Sequence, residues 1–75
     1  MKRASLQVRI GEVVRRHREK SEYSQEGFAD RIKMHRAYYG AIERGKKNVQ
    51  LTTLERVCDG LDVPMWEVIR DAQAR

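Results

Sequence analysis

Cysteine, proline, tryptophan and phenylalanine each occur once in this 75-residue chain, and there are two histidines. A lone cysteine, Cys58, excludes an internal disulfide and a Cys-based metal knuckle, and it suits a reducing cytosol. The single proline, Pro64, leaves the first 63 residues free of the residue that most often breaks a helix. No apolar run approaches the ~20 residues needed to cross a bilayer. The N-terminal stretch MKRASLQVRIGE also lacks the apolar core of a secretory signal. A cytoplasmic location with no membrane partner is therefore expected. There is no Ser/His/Asp set, no phosphate-cradling glycine loop and no cluster with metal-ligand spacing. The reading is accordingly not an enzyme, with no cofactor and no small-molecule ligand. Repeats, linkers and low-complexity tracts are missing too. At this length the chain holds one domain with a modest core, to which a dimer partner would add stability.

Charge is what the chain has in abundance. The formal net charge is +5, and it is unevenly placed: residues 1–47 hold 13 Lys/Arg against 6 Asp/Glu, and residues 48–75 hold 3 against 5. A basic surface suits a polyanion, because each neutralised phosphate releases condensed counterions. Apolar residues recur at helical spacing around this charge. Leu6, Ile10, Val13, Val14 and His17 mark a first helix running to about Lys20, after a flexible end over residues 1–5. Gly11 interrupts this helix at a cost of up to ~1 kcal/mol relative to alanine. Arg9, Arg15, Arg16 and Arg18 lie around its other faces, and His17 reads as a core-edge residue. Tyr23, in the following turn, is placed to pack beneath the second helix. Leu51, Leu54, Val57, Cys58 and Leu61 mark a fourth helix opened by the Thr52–Glu55 capping-box spacing. Asp62 is a tolerable left-handed stop, and Pro64 fits the first turn of a fifth helix over residues 64–74. Met65, Val68, Ile69 and Ala72 form the inner stripe of that helix. Trp66 falls off the stripe, as a dimer anchor would.

Residues 24–44 read as two short helices joined by a tight turn. Ser24 is a good N-cap. Phe28, Ala29 and Ile32 form one stripe and Tyr38, Tyr39 and Ile42 another, and Gly45 supplies a left-handed stop. From Arg31 to Lys47 there are six Lys/Arg and one acid, Glu43. This is the outline of a helix-turn-helix whose second helix enters the DNA major groove.

Ser24-Gln25-Glu26 with Ala29, Arg36-Ala37-Tyr38-Tyr39, Ile42-Glu43-Arg44-Gly45, Leu51, Thr53-Leu54 and Leu61-Asp62-Val63 together resemble the lambda-repressor/Cro-like (Xre-type) DNA-binding domain. The resemblance extends to its small single-domain members, such as phage repressors and restriction–modification controller proteins. It implies an all-α, compact five-helix bundle, nucleoid-associated in the cell, that binds double-stranded DNA as a homodimer on a palindromic operator and regulates transcription, with its own promoter as a candidate target. An antitoxin, or a protein-binding module that kept the fold without specific readout, is the alternative.

Arg36, Ala37, Tyr38 and Ala41 are then the expected base contacts. Arg36 suits guanine O6 and N7, and Gly40 and Ala41 extend an exposed face with little side chain. Few side chains remain for direct readout, so DNA shape should supply part of the specificity. Gln25, His35, Arg44, Lys46, Lys47 and Asn48 are the expected phosphate contacts. By the same resemblance Tyr39 is buried where most relatives carry a branched aliphatic, His35 is the N-cap of the third helix, and Glu43 turns inward to form a structural ion pair with Arg18. Trp66 and Ile69 are assigned to the dimer interface.

Overall fold

The computed structural model describes residues 3–75; the first two residues of the expected flexible end lie outside the described residues. Five helices follow one another: α1 (Leu6–Lys20), α2 (Gln25–Arg31), α3 (Arg36–Glu43), α4 (Leu51–Leu61) and α5 (Met65–Ala74). Among the described residues there is no strand, and no helix is long and apolar enough to cross a membrane. The other expected flexible residues are engaged. The Ser5 hydroxyl accepts from the Val8 amide at 3.3 Å, capping α1. Arg3 donates to the Gln73 carbonyl at 2.7 Å and Arg9 to that of Ala72 at 2.9 Å. The start of the chain thereby gives the Gln73 carbonyl a donor and adds a second to that of Ala72, which also accepts from the Arg75 amide.

The apolar stripes converge on one core. Val13, Val14, Phe28, Ala29, Tyr39, Leu54, Val57, Cys58, Val68 and Ala72 are all buried. Phe28 lies at its centre, its ring 5.8 Å from that of Tyr23 and 5.1 Å from that of Tyr39. Burial pushes the Cys58 thiol up to about 11, so it behaves as a small hydrophobe rather than a nucleophile. Two departures from the sequence reading occur at the start of α4. The helix opens two residues earlier than the capping box implies, because the Gln50 carbonyl already accepts from the Leu54 amide at 2.9 Å; no side chain caps it. Leu51, assigned to the inner stripe, is the first residue of the helix and stands 68% exposed. Asp62 does take the left-handed conformation, with φ 58°, while Pro64 sits at the N-cap of α5 rather than within it.

α1 runs along α5 and crosses α3. The two helices touch at Gly11, where a β-carbon would collide with the Glu43 carbonyl oxygen and lie 2.5 Å from that of Ile42. Gly11 is therefore the residue that lets α1 touch the backbone of α3, and not simply a weak point in α1. Gly45 follows α3 with φ 71°, a conformation that glycine adopts without steric cost.

Candidate nucleic-acid interface

The site begins with the mutual angle of α2 and α3, which one polar network holds. Glu43, at the last turn of α3, is buried together with Arg18 of α1; their side chains are 2% and 10% exposed. Arg18 grips the carboxylate with two nitrogens, Nε to Oε2 at 2.6 Å and Nη2 to Oε1 at 3.0 Å. Its third nitrogen, Nη1, donates to the Tyr23 carbonyl at 2.8 Å. Two more donors complete the shell of Glu43: the Tyr39 hydroxyl at 2.5 Å and the Gln25 amide at 3.0 Å. Burial alone would raise the Glu43 carboxyl, but the hydrogen bonds from Arg18, Tyr39 and Gln25 outweigh it and hold the group below its ordinary value. Burial, helped by Glu43, pushes the Tyr39 hydroxyl far upward, so it remains a donor. Three helices are thus tied at one carboxylate, which a buried charge demands, since each unmet lone pair would be costly.

This network uses a residue that the sequence reading assigned to phosphate. Gln25 is half-buried and commits one amide hydrogen to Glu43, leaving one for an anion. Its carbonyl oxygen faces Gly40. Ala41 is corrected more fully: it is 8% exposed and does not present its methyl to a base. It lies between Tyr38 and Arg44, its i−3 and i+3 neighbours, which flank it on the helix surface. Gly40 is buried as well, with the Arg44 guanidinium and the Gln25 amide closing over it.

The N-terminal end of α3 is open. Arg36 and Ala37 are exposed and Tyr38 is half-buried beside them. His35 caps the helix: its Nδ1 accepts from the Ala37 amide at 3.3 Å. A ring accepting at Nδ1 in its neutral form carries its hydrogen on Nε2, where it can donate to a phosphate. Arg36 is not a free side chain. Its Nε and Nη2 donate to the two carboxylate oxygens of Asp30 at 3.2 and 2.8 Å, and its Nη1 donates to Glu26 at 3.1 Å.

Past α3, Arg44, Lys46 and Lys47 are exposed, and none has a carboxylate partner among the described residues. The loop is nevertheless anchored. The Lys46 amide donates to the Ala41 carbonyl at 2.9 Å, and the Lys47 ammonium lies 6.0 Å from the centre of the Tyr38 ring, the outer limit of a cation–π contact. Asn48 is exposed but stands on the rim of an apolar groove with Leu6, Gln7 and Val49, away from the end of α3. Ile69 lines the same groove, and Trp66 is 62% exposed with the Arg70 guanidinium 5.2 Å from its ring.

One grouping elsewhere was not visible in the sequence. His17 of α1 meets Glu67 and Asp71 of α5, all half-buried, with their ligand-capable atoms within 4.8 Å of one another. Spacing along the chain shows only the i, i+4 relation of the two acids.

Comparison with known proteins agrees with this architecture. The helix-turn-helix domain family matches residues 9–71. The control protein C.MunI of Mycoplasma sp is 39% identical over 69 residues, spanning 91% of this chain and 93% of that protein. The solved restriction–modification controller protein C.AhdI of Aeromonas hydrophila superposes with a TM-score of 0.77 at 33% identity, covering 81% of this chain and 92% of that one. The controller protein C.Esp1396I, solved as a tetramer on its natural 35 base-pair operator, superposes with a TM-score of 0.84 over 97% of this chain and all of its own; at 24% identity it speaks for the fold alone. The chain belongs to the helix-turn-helix domain family, among the control proteins of restriction–modification systems.

Proposed function

We propose that the protein is a transcription regulator of controller type that binds operator DNA as a homodimer in the cytoplasm. The observation that carries this reading is the face formed by the N-terminal end of α3 and the loop after it. Arg36 and Ala37 stand exposed there, with cations at Arg44, Lys46 and Lys47 that no acid among the described residues neutralises. In this reading the first pair meets base edges, and the three loop cations together with His35 and Gln25 meet phosphate. The control-protein relatives support the regulatory role. Selection from random duplexes followed by sequencing tests it. The parent enriches a palindrome, and Arg36→Ala loses or relaxes one position in each half of it, at a cost of about 1–3 kcal/mol. Enrichment of no motif would leave the basic face with nonspecific affinity only.

Dimerisation is assigned to the side of the molecule where apolar surface is left open. Leu6, Leu51 and Trp66 are the exposed large hydrophobic residues among the described ones, and Ile69 lies one turn from Trp66 on α5, beside Leu6 and Leu51 in the groove. Such a groove, with an exposed tryptophan one turn from its Ile69 edge, has the composition of an interface anchor. Two copies joined there would offer two α3 helices to half-sites about 34 Å apart. Trp66→Ala weakens the dimer by at least ~2 kcal/mol, roughly thirtyfold. Sedimentation equilibrium reads this directly, and an unchanged dimer constant would move the interface elsewhere.

A further inference from the structure

Arg36 is held in an unusual way for the side chain expected to read a base. It is the only cation of the α3 face and following loop that has acid partners among the described residues. Those partners, Glu26 and Asp30, stand at i and i+4 on α2 and reach across to it with three hydrogen bonds. Folding does not explain the arrangement. The Arg36, Glu26 and Asp30 side chains are 57%, 70% and 58% exposed, and ion pairs in water contribute little to stability. Two carboxylates on a surface meant for DNA also oppose binding, so their presence calls for a compensating use.

We propose that Asp30, assisted by Glu26, is a positioning residue that sets the specificity of Arg36, holding its guanidinium for a base edge and withholding it from phosphate. The proposal rests on the DNA-binding reading above. A guanidinium carries five N–H groups, and the three bonds to Asp30 and Glu26 leave one hydrogen on Nη1 and one on Nη2. Two hydrogens on neighbouring nitrogens suit the paired acceptors O6 and N7 of guanine. A clamped arginine has already lost the rotamer freedom that a loose one would lose on binding. It is also already neutralised, so a nearby phosphate gains less from it than from Lys46 or Lys47. The hydrogen bond from Arg36 holds the Asp30 carboxyl below its ordinary value, so the clamp stays charged at neutral pH.

The experiment is the selection described above, run on the parent, Asp30→Asn, Arg36→Ala and the double variant, with affinities for operator and scrambled duplex measured across a salt series. Glu26→Gln is a weaker companion, because Glu26 also favours the first turn of α2. With Asp30→Asn the preference for the base read by Arg36 falls about tenfold, within the range a bidentate contact supplies. Binding to scrambled duplex tightens, and its salt slope steepens by about one phosphate contact. In the Arg36→Ala background Asp30→Asn leaves the base preference unchanged and gives scrambled duplex only the smaller gain that loss of one carboxylate brings. An unchanged base preference in Asp30→Asn, where Arg36→Ala relaxes it, overturns the clamp and leaves the regulator reading standing. A uniform gain across all sequences, retained in full without Arg36, overturns it as a mere charge effect. A parent that enriches no motif removes the sequence-specific reading and the clamp together.

Discussion

Glu43→Gln lowers the melting temperature by about 15 °C or more. The substitution preserves shape but removes the one negative charge inside a shell of donors from Arg18, Tyr39 and Gln25. It leaves the Arg18 guanidinium buried and uncompensated, and breaking a buried pair from one side costs about 3–5 kcal/mol. For a domain of this size each kcal/mol is worth roughly 4–8 °C, and total stability is itself only of order 5 kcal/mol or somewhat more. Arg18→Met, which strands the carboxylate instead, is equally damaging. The two changes made together cost less than their sum, because neither charge is then left alone. Thermal unfolding followed by circular dichroism separates these cases. A Glu43→Gln variant that melts with the parent would show that the network positions helices without stabilising them.

The same carboxylate makes the effect pH-dependent, with a definite sign. Its folded value lies below the unfolded one, so its contribution is present above about 4.3, the ordinary glutamate value. That contribution is lost as pH falls through the folded value. Melting temperatures of parent and Glu43→Gln therefore differ fully at pH 7 and converge in acid, where protonated Glu43 resembles glutamine. A gap that stays constant to pH 3 would assign the loss to packing instead of charge.

The elements themselves were legible because each helix has an apolar stripe of the right period and a recognisable stop. Ser24, Gly45 and Asp62 do in space what their chemistry implies in sequence. The Arg18–Glu43 pair was not legible in this way. Its partners lie 25 residues apart on different helices, and only the family resemblance put them together. Resemblance carried the pair but not the company it keeps. Gln25 joins the network because α2 and α3 meet at a particular angle, which no spacing rule contains; the Tyr39 hydroxyl joins from one turn back on α3 itself, an i, i+4 relation that spacing does show. The same angle lays Arg36 over Glu26 and Asp30, a pairing hidden between two helices that each look ordinary. Ala41 shows a different limit. Periodicity does put it on the outer face of α3, but exposure also depends on neighbours, and a methyl between tyrosine and arginine is overshadowed by both. The opening of α4 went astray for a third reason: Thr52 and Glu55 satisfy a pattern, whereas the chain had already begun its hydrogen bonding from Gln50.

Gly11→Ala costs stability, although the helix scale alone makes it a gain. In an isolated α1, alanine would be favoured by up to ~1 kcal/mol. In the folded chain the added methyl collides with the Glu43 carbonyl oxygen and meets that of Ile42 at 2.5 Å and a backbone carbon at 2.8 Å. Backbone cannot rotate away as a side chain can, so α1 and α3 must separate. Overpacking of this kind typically costs about 1–3 kcal/mol, and a clash with backbone belongs at the upper end. Against the propensity gain, the net loss is about 2 kcal/mol, a drop in melting temperature on the order of 10 °C. The displacement falls where it also matters for binding, because the carbonyls in question belong to Ile42 and Glu43, directly above the network that orients α3. Operator affinity should therefore fall below what the lost stability explains, measured at a temperature where the variant is fully folded. A variant more stable than the parent would mean that the close approach of α1 to α3 relaxes at no cost, and Gly11 would then be merely tolerated.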